Sequence, residues 1–319
     1  MAGELRFDPL TREWVNVVGA RQHRPNLPTT GCPFCPGGLE APEHYDTRWF
    51  PNRWPAYEPG APIDLAAAEA AGVEVLPAVG RAEVILYSPV HDGSLGSLGV
   101  GQIRKVVDLW AERTAALLAV DEVAYVLAFE SRGTEVGATI HHPHGQIYAF
   151  PFIPPSPLRE ARVSAEHGCG VCAELGHEHD DERRIVARND EWTAWVPFAS
   201  GYPYGLRLAP TRHVGSLADL DDGEREALAA VLFDVLGRYD RLWSGDERRS
   251  EIFPYLMWFH QAPAASHCDR LDDYHLHVHL APPQRAPGLA RFIASGEVGS
   301  GTLSNPVVPE DAAETLRQA

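Results

Sequence analysis

The chain has 319 residues, 45% of them hydrophobic and 22% charged, enough for one large core or two medium ones in an ordinary globular enzyme. Its formal charge of −17 argues against a nucleic-acid partner, which calls for a basic face, and no run approaches the roughly 20 apolar residues that span a bilayer. The N-terminus, Met1 to Arg6, lacks the apolar core of a signal peptide, so a cytoplasmic protein is expected.

Taken in chain order, the first half opens with Cys32-Pro-Phe-Cys35, followed by Trp49-Phe-Pro-Asn52-Arg-Trp-Pro55 and Ser88-Pro-Val-His91. Ile103, Val106, Val107, Trp110, Leu117 and Leu118 keep the spacing of one apolar helix face. A β-rich run, Val123 to Phe129, predicts a strand. The half closes on His142-Pro-His144-Gly-Gln146. The second half repeats the order with Cys169-Gly-Val-Cys172, Trp195 to Pro203 and Ala209-Pro-Thr-Arg-His213. A helix is expected from near Asp221, with Leu228, Val231, Leu232, Val235, Leu236 and Tyr239 on one face. A strand follows from Pro254 to Phe259, then His275-Leu-His277-Val-His279. Six features recurring in one order predict a duplicated α+β unit, with halves at 1–157 and 158–319 joined by the proline-rich stretch Pro151 to Pro157.

Cysteine usage is informative. Without a secretory signal, C-x-x-C reads as a metal or redox site before a structural disulfide. Cys268 is left over and is expected to be a buried spare thiol. Ala66 to Ala71 reads as a short helix or loop decoration, and Asp180 to Arg184 as a solvated turn.

The densest chemistry lies in Thr139-Ile-His-His-Pro-His-Gly-Gln-Ile-Tyr148. In an extended strand His142, His144 and Gln146 share one side, because successive side chains alternate. Gly145 would leave room for close approach of a ligand. Imidazole serves as metal ligand, proton carrier or nucleophile at neutral pH. The run His-Pro-His-Gly-Gln resembles the active-site signature of the galactose-1-phosphate uridylyltransferases, a branch of the histidine triad superfamily, and the resemblance is tightest at residues 137–151.

That resemblance implies an α+β duplicated histidine-triad-like fold, its antiparallel sheet covered by helices, assembled as a homodimer in which each active site borrows residues from the partner chain. It implies transfer of a uridylyl group from UDP-glucose to galactose 1-phosphate through His144, in two displacements that give ping-pong kinetics. Gln146, where the hydrolases of the superfamily carry a third histidine, would hydrogen-bond a phosphoryl oxygen and favour transfer. Ser131, Arg132, Gly133 and Thr139, in the loop entering the histidine strand, would cradle phosphates. Arg21 and Arg24 would lie near the nucleotide, Asn52 and Trp54 at uridine, and Arg291 and Glu297 at the sugar end. Three departures stand out: Ser131 replaces an asparagine, Arg291 stands where lysine is commoner, and Gly299 to Leu303 lacks an expected glutamine.

Zinc is the expected cofactor. Cys32 and Cys35 supply a tetrahedral half-site, completed by resemblance with His91 and His142. A second site has two candidate sets: Cys169, Cys172, His213 and His275 from the repeat, or Glu160, His260, His277 and His279 from the resemblance, the latter holding structural iron or zinc. Two enzymatic rivals remain at this stage. One is a nucleotide-sugar phosphorylase, ADP-glucose phosphorylase-like, using His144 with inorganic phosphate as acceptor. The other is a histidine triad hydrolase acting through His277. A zinc-stabilised binding protein leaves the pair His144 and Gln146 without a purpose.

Overall fold

Alternating burial along Tyr125–Arg132 and His144–Phe150 is what strands with one face on a core produce. A computed structural model of the chain describes residues 3–23, 31–60, 72–267 and 274–319. Arg24, Cys268 and the Ala66 to Ala71 stretch lie outside the described residues.

Strands β1 (Glu4–Asp8), β2 (Glu13–Val17) and β4 (Val75–Pro77) form a small sheet in the order β2-β1-β4. The large sheet has nine strands, every neighbouring pair antiparallel. Its first four are β3 (Arg48–Pro51), β5 (Arg81–Leu86), β7 (His144–Phe150) and β6 (Tyr125–Arg132). It continues with β11 (Tyr255–His260), β12 (His277–Ala281), β10 (Leu206–Pro210), β9 (Trp192–Trp195) and the edge strand β8 (Ile185–Arg188). The order β3-β5-β7-β6 is answered by β9-β10-β12-β11 read from the other side. The two series meet where β6 pairs with β11, Phe129 opposite Trp258. This pseudo-twofold arrangement is a duplicated, histidine-triad-like α+β fold.

Helix α1 (Val100–Leu118) follows β5, and α4 (Asp222–Arg241) holds the matching place after β10. Both bury the apolar faces expected from their spacing, Ile103, Val106, Val107, Trp110 and Leu117 on one, Leu228, Val231, Leu232, Val235, Leu236 and Tyr239 on the other. Asp221 caps α4 through the Glu224 amide, and Glu224 answers to the Asp221 amide. Ile147, Ala128, Val278, Leu280 and Phe259 complete this core from the sheet. The alternate side chains, among them His144, Gln146, His277 and His279, therefore lie on the sheet face away from α1 and α4.

Four local expectations are corrected. β7 begins at His144, so His142 sits in the bend before the strand instead of in the ladder. The space beside Gly145 is filled by the chain itself: a Cβ there would lie 2.0 Å from Tyr87 Oη and 2.9 Å from the Phe129 carbonyl. The proline-rich junction does not stay irregular, because Pro155 opens helix α2 (Pro155–His167), where a missing N–H costs nothing. Asp180 to Arg184 is a solvated turn only in part: Asp180, Glu182 and Arg183 are exposed and the stretch ends in a turn, but Arg184 is buried. Asp181 ends helix α3 (Gly170–Asp181), and the buried Arg184 pairs with Glu178 at 2.9 Å and Glu310 at 2.8 Å, stacked 5.2 Å from the Phe198 ring.

The Gly145 contact is testable. Gly145→Ala should destabilise the protein by about 1–3 kcal/mol in urea unfolding, the usual cost of forcing atoms into a packed site. Adding Tyr87→Phe should recover part of that loss, whereas additive losses would mean the two groups do not meet.

Candidate active site and metal centres

His142 works in two directions. Its ring is buried, and its Nε2–H donates to the Ser88 carbonyl at 2.8 Å, with the Tyr45 hydroxyl also at 2.9 Å. That assigns the lone pair to Nδ1, which points at Cys35 Sγ 3.7 Å away. Its backbone carbonyl meanwhile lies 2.7 Å from His144 Nδ1. His144 is thereby the tautomer with its lone pair on Nε2. The second half repeats the device. His275 Nε2 donates to the Pro210 carbonyl at 3.0 Å, its Nδ1 lies 3.3 Å from Cys172 Sγ, and its carbonyl receives His277 Nδ1 at 2.8 Å.

Around His144 the face is built from several elements. The Phe34 ring, between the paired cysteines, lies edge-on to His144 at 5.0 Å and to His142 at 6.1 Å. Gln146 Oε1 accepts from Asn52 Nδ2 at 3.0 Å, which leaves the Gln146 NH2 as a donor facing out of the sheet. Asn52 Oδ1 in turn accepts the Trp54 amide at 2.9 Å. Arg21 reaches the Tyr148 hydroxyl at 3.0 Å, two strand positions beyond Gln146. A small cavity is lined by Ser131, Arg132, Gly133, His142 and His144, so the predicted loop does meet the histidine strand. Gly133 has φ +96°, and a Cβ there would strike Pro254, so the turn requires glycine. The Arg132 guanidinium is spoken for by Asp240 at 2.6 Å. Thr139 precedes the strand within the same loop.

Arg291 and Glu297 pair with each other, and Ser304 N–H donates to Glu297 at 2.7 Å. Neither lines the cavity at His144 in this chain. Phe292 and Ile293 beside them stand 83% and 48% exposed.

Among the described residues, three groups of four side chains offer metal-ligating atoms, all within 4.8 Å of one another in each group. They are Cys32, Cys35, His91 and His142; Cys169, Cys172, His213 and His275; and Glu160, His260, His277 and His279. Sequence alone left open whether one or both of the last two form; the sets share no residue, and both assemble. The donor sets fit metal. Burial lowers the His142 pKa, and burial with His213 nearby takes His275 down to about 4, so both rings are neutral ligands at pH 7. Burial beside Cys169 pushes the Cys172 thiol up to about 11, an environment that wants a cation. Burial alone would raise the Glu160 pKa, but hydrogen bonds from His260 and His277 hold it below the carboxylate range.

Phe34, Tyr45 and Tyr148 were not anticipated. Only Phe34, flanked by Cys32 and Cys35, carried a usable sequence signal.

Comparison with known proteins adds the decisive observation. The N-terminal domain model of galactose-1-phosphate uridyl transferase matches residues 2–154, and the C-terminal domain model matches 159–319. The chain belongs to the galactose-1-phosphate uridylyltransferase family. The Thermotoga maritima galactose-1-phosphate uridylyltransferase is 39% identical, covering 99% of this chain and 98% of its own. The Rattus norvegicus enzyme is 32% identical over 98% of this chain and 86% of its own. A solved uridylyltransferase structure superposes with a TM-score of 0.85 at 31% identity, covering 99% and 97% of the two chains. The chain is thus a nucleotidyltransferase of this family. An Arabidopsis thaliana ADP-glucose phosphorylase shares the fold, with a TM-score of 0.73 at 24% identity, covering 100% of this chain and 99% of its own. No helix among the described residues is long and apolar enough to cross a membrane.

Cluster independence gives a prediction. Metal analysis of Cys32→Ser/Cys35→Ser should show one equivalent fewer than wild type, with the metal held by the other two clusters retained. Loss of all metal would show instead that the clusters fill as one unit.

Proposed function

We propose that the chain transfers a uridylyl group from UDP-glucose to galactose 1-phosphate in the cytoplasm, through a covalent intermediate on His144. The observation that carries this is the His142 carbonyl held on His144 Nδ1, which makes Nε2 the nucleophilic atom. Nε2 attacks the α-phosphorus, a P–N bond forms, and the bond to the β-phosphate oxygen breaks, releasing glucose 1-phosphate. That leaving group is already a phosphate and needs no proton. Galactose 1-phosphate then attacks the same phosphorus and frees the histidine.

The other roles follow from placement. Gln146, fixed by Asn52, donates from its NH2 to a non-bridging oxygen of the transferred phosphoryl group. Ser131, Gly133 and Thr139 offer amides or hydroxyls to phosphate, while Arg132 steadies the loop through Asp240. Arg21 and Arg24 serve the nucleotide, and Trp54 stacks on uracil beside Asn52. Arg291 and Glu297 recognise the hexose from a partner protomer, the arrangement that their distance from this chain's own His144 cavity and the exposed Phe292 support. Functionally, residues 1–157 carry the nucleophile and 158–319 the sugar-end groups.

Zinc held by Cys32, Cys35, His91 and His142 would fix the bend that presents His144. The same metal suits Cys169, Cys172, His213 and His275. Glu160, His260, His277 and His279, an oxygen and three imidazoles, suit zinc or iron. A hydrolase acting through His277 is disfavoured, because Glu160 Oε2 stands 3.6 Å from His277 Nε2, where a phosphate would have to approach.

The test is intact mass after incubation with UDP-glucose and no acceptor. Wild type should gain one uridylyl group, dischargeable by galactose 1-phosphate, and His144→Gly should gain none. Discharge by inorganic phosphate but not by the sugar phosphate would point to a phosphorylase, and no adduct at all would overturn the His144 mechanism. Asn52→Ala should lower kcat about tenfold by freeing Gln146, with the cysteine–histidine clusters intact; an unchanged kcat would remove Gln146 from its assigned role.

A further inference from the structure

Behind the histidine strand lies a carboxyl group that the mechanism above does not use. Glu130 is 5% exposed, on the core side of β6 between Ala128 and Arg132. One oxygen accepts from the Tyr255 hydroxyl at 3.0 Å. The other, Oε2, faces the adjacent Tyr87 hydroxyl, and among the described residues neither atom makes a hydrogen bond of ordinary geometry. That Tyr87 hydroxyl is the group pressed against Gly145, between His144 and Gln146. Glu130 also lines the cavity of about 40 Å3 shared with Ser131, Gly133 and His144, room enough for a water.

The charges that face this carboxyl come from each element packed on it. Tyr255 belongs to β11, Tyr87 follows β5, Arg132 lies on β6 itself, and Asp240 on α4. Among the described residues facing it the cation is Arg132, whose charge Glu130 shares with Asp240. Burial accordingly pushes its pKa up to about 7, against the opposing pull of Tyr255 and Arg132. A phosphate entering beside Ser131 and Gly133 would bring further negative charge to the wall of the same cavity, in surroundings of low dielectric.

We propose that Glu130 takes up a proton when the phosphate-bearing substrate enters the cleft, and releases it when the phosphate leaves. Glu130 is then a positioning residue, acting through the Ser131–Gly133 loop and through Tyr87 on Gly145. The proposal rests on the reading above that nucleotide phosphates bind at this loop. Atoms balance simply: solvent supplies the proton, and no bond other than O–H forms. The sign follows from linkage. A ligand that raises a group's pKa binds more tightly below it, so affinity for UDP-glucose is highest in mild acid and falls by up to tenfold per pH unit above about pH 7.

The experiment is titration calorimetry of UDP-glucose into metal-loaded His144→Gly, which removes the nucleophilic imidazole and the chemistry together. UDP-glucose suits the purpose because its phosphodiester oxygens do not titrate near neutrality. Runs at about pH 8 in two buffers of different ionisation enthalpy give the number of protons taken up, expected to approach about one per ligand. His144→Gly/Glu130→Gln should bind with uptake near zero. Difference infrared spectra of His144→Gly should gain a protonated-carboxyl band on UDP-glucose addition, a readout that needs no Glu130 variant to fold. Binding without proton uptake, or equal uptake in the Glu130→Gln variant, overturns this proposal and leaves the uridylyl mechanism standing. Failure of UDP-glucose to bind overturns both.

Discussion

The arrangement depends on the two ends of one residue. The His142 ring is turned by Ser88 and Tyr45 so that Nδ1 meets the Cys35 sulfur of the first cluster, and its carbonyl holds the Nδ1–H of His144. A metal-ligating histidine usually needs an outer partner to set its tautomer, and a nucleophilic histidine needs one too. Here a single dipeptide step supplies both. Because His142 lies in a bend and not in the ladder, the backbone hydrogen bonds of β7 do not position it, and its ring is held by Ser88 and Tyr45 beside the cluster.

Duplication explains why the same device appears twice. His275 and His277 repeat the geometry of His142 and His144, down to the carbonyl contacts. What differs is the surroundings. In the first half Gln146 is a neutral donor next to an open cleft. In the second half His279 fills the matching position, stacked on Trp258 at 4.9 Å, and Glu160 from α2 closes over His277. One copy sets its imidazole on the wall of a cavity, and the other packs the same imidazole against a carboxylate.

Much of this was legible in the sequence. The two helix faces, the paired C-x-x-C motifs and the repeated order of features follow from local periodicity and spacing, and these survive into the structure because nothing tertiary competes with them. The carbonyl clamp on His144 was legible only in part, since the sequence offers the His142 carbonyl or another nearby backbone group and does not choose between them. The contacts that resisted reading are long-range. Tyr87 lies 58 positions before Gly145, so a glycine that suggested ligand space serves the core instead. Arg184 sits in a charged run that looks solvated until Glu310, more than a hundred residues later, folds over it. Whether two alternative metal sets exclude each other is likewise a question of which strand ends converge, and spacing carries no information on that.

The central claim is that the first cluster holds the nucleophile in place. The direct measurement is the single-turnover rate of uridylyl-His144 formation from UDP-glucose, followed by quenched-flow mass analysis, in two variants with verified metal content. Cys35→Ser, lacking metal at the first cluster, should form the adduct at least tenfold more slowly than wild type while unfolding cooperatively. Cys172→Ser, lacking it at the second, should form the adduct at the wild-type rate. Wild-type adduct formation in Cys35→Ser would contradict the account, since the bend at His142 would then hold His144 without its cluster.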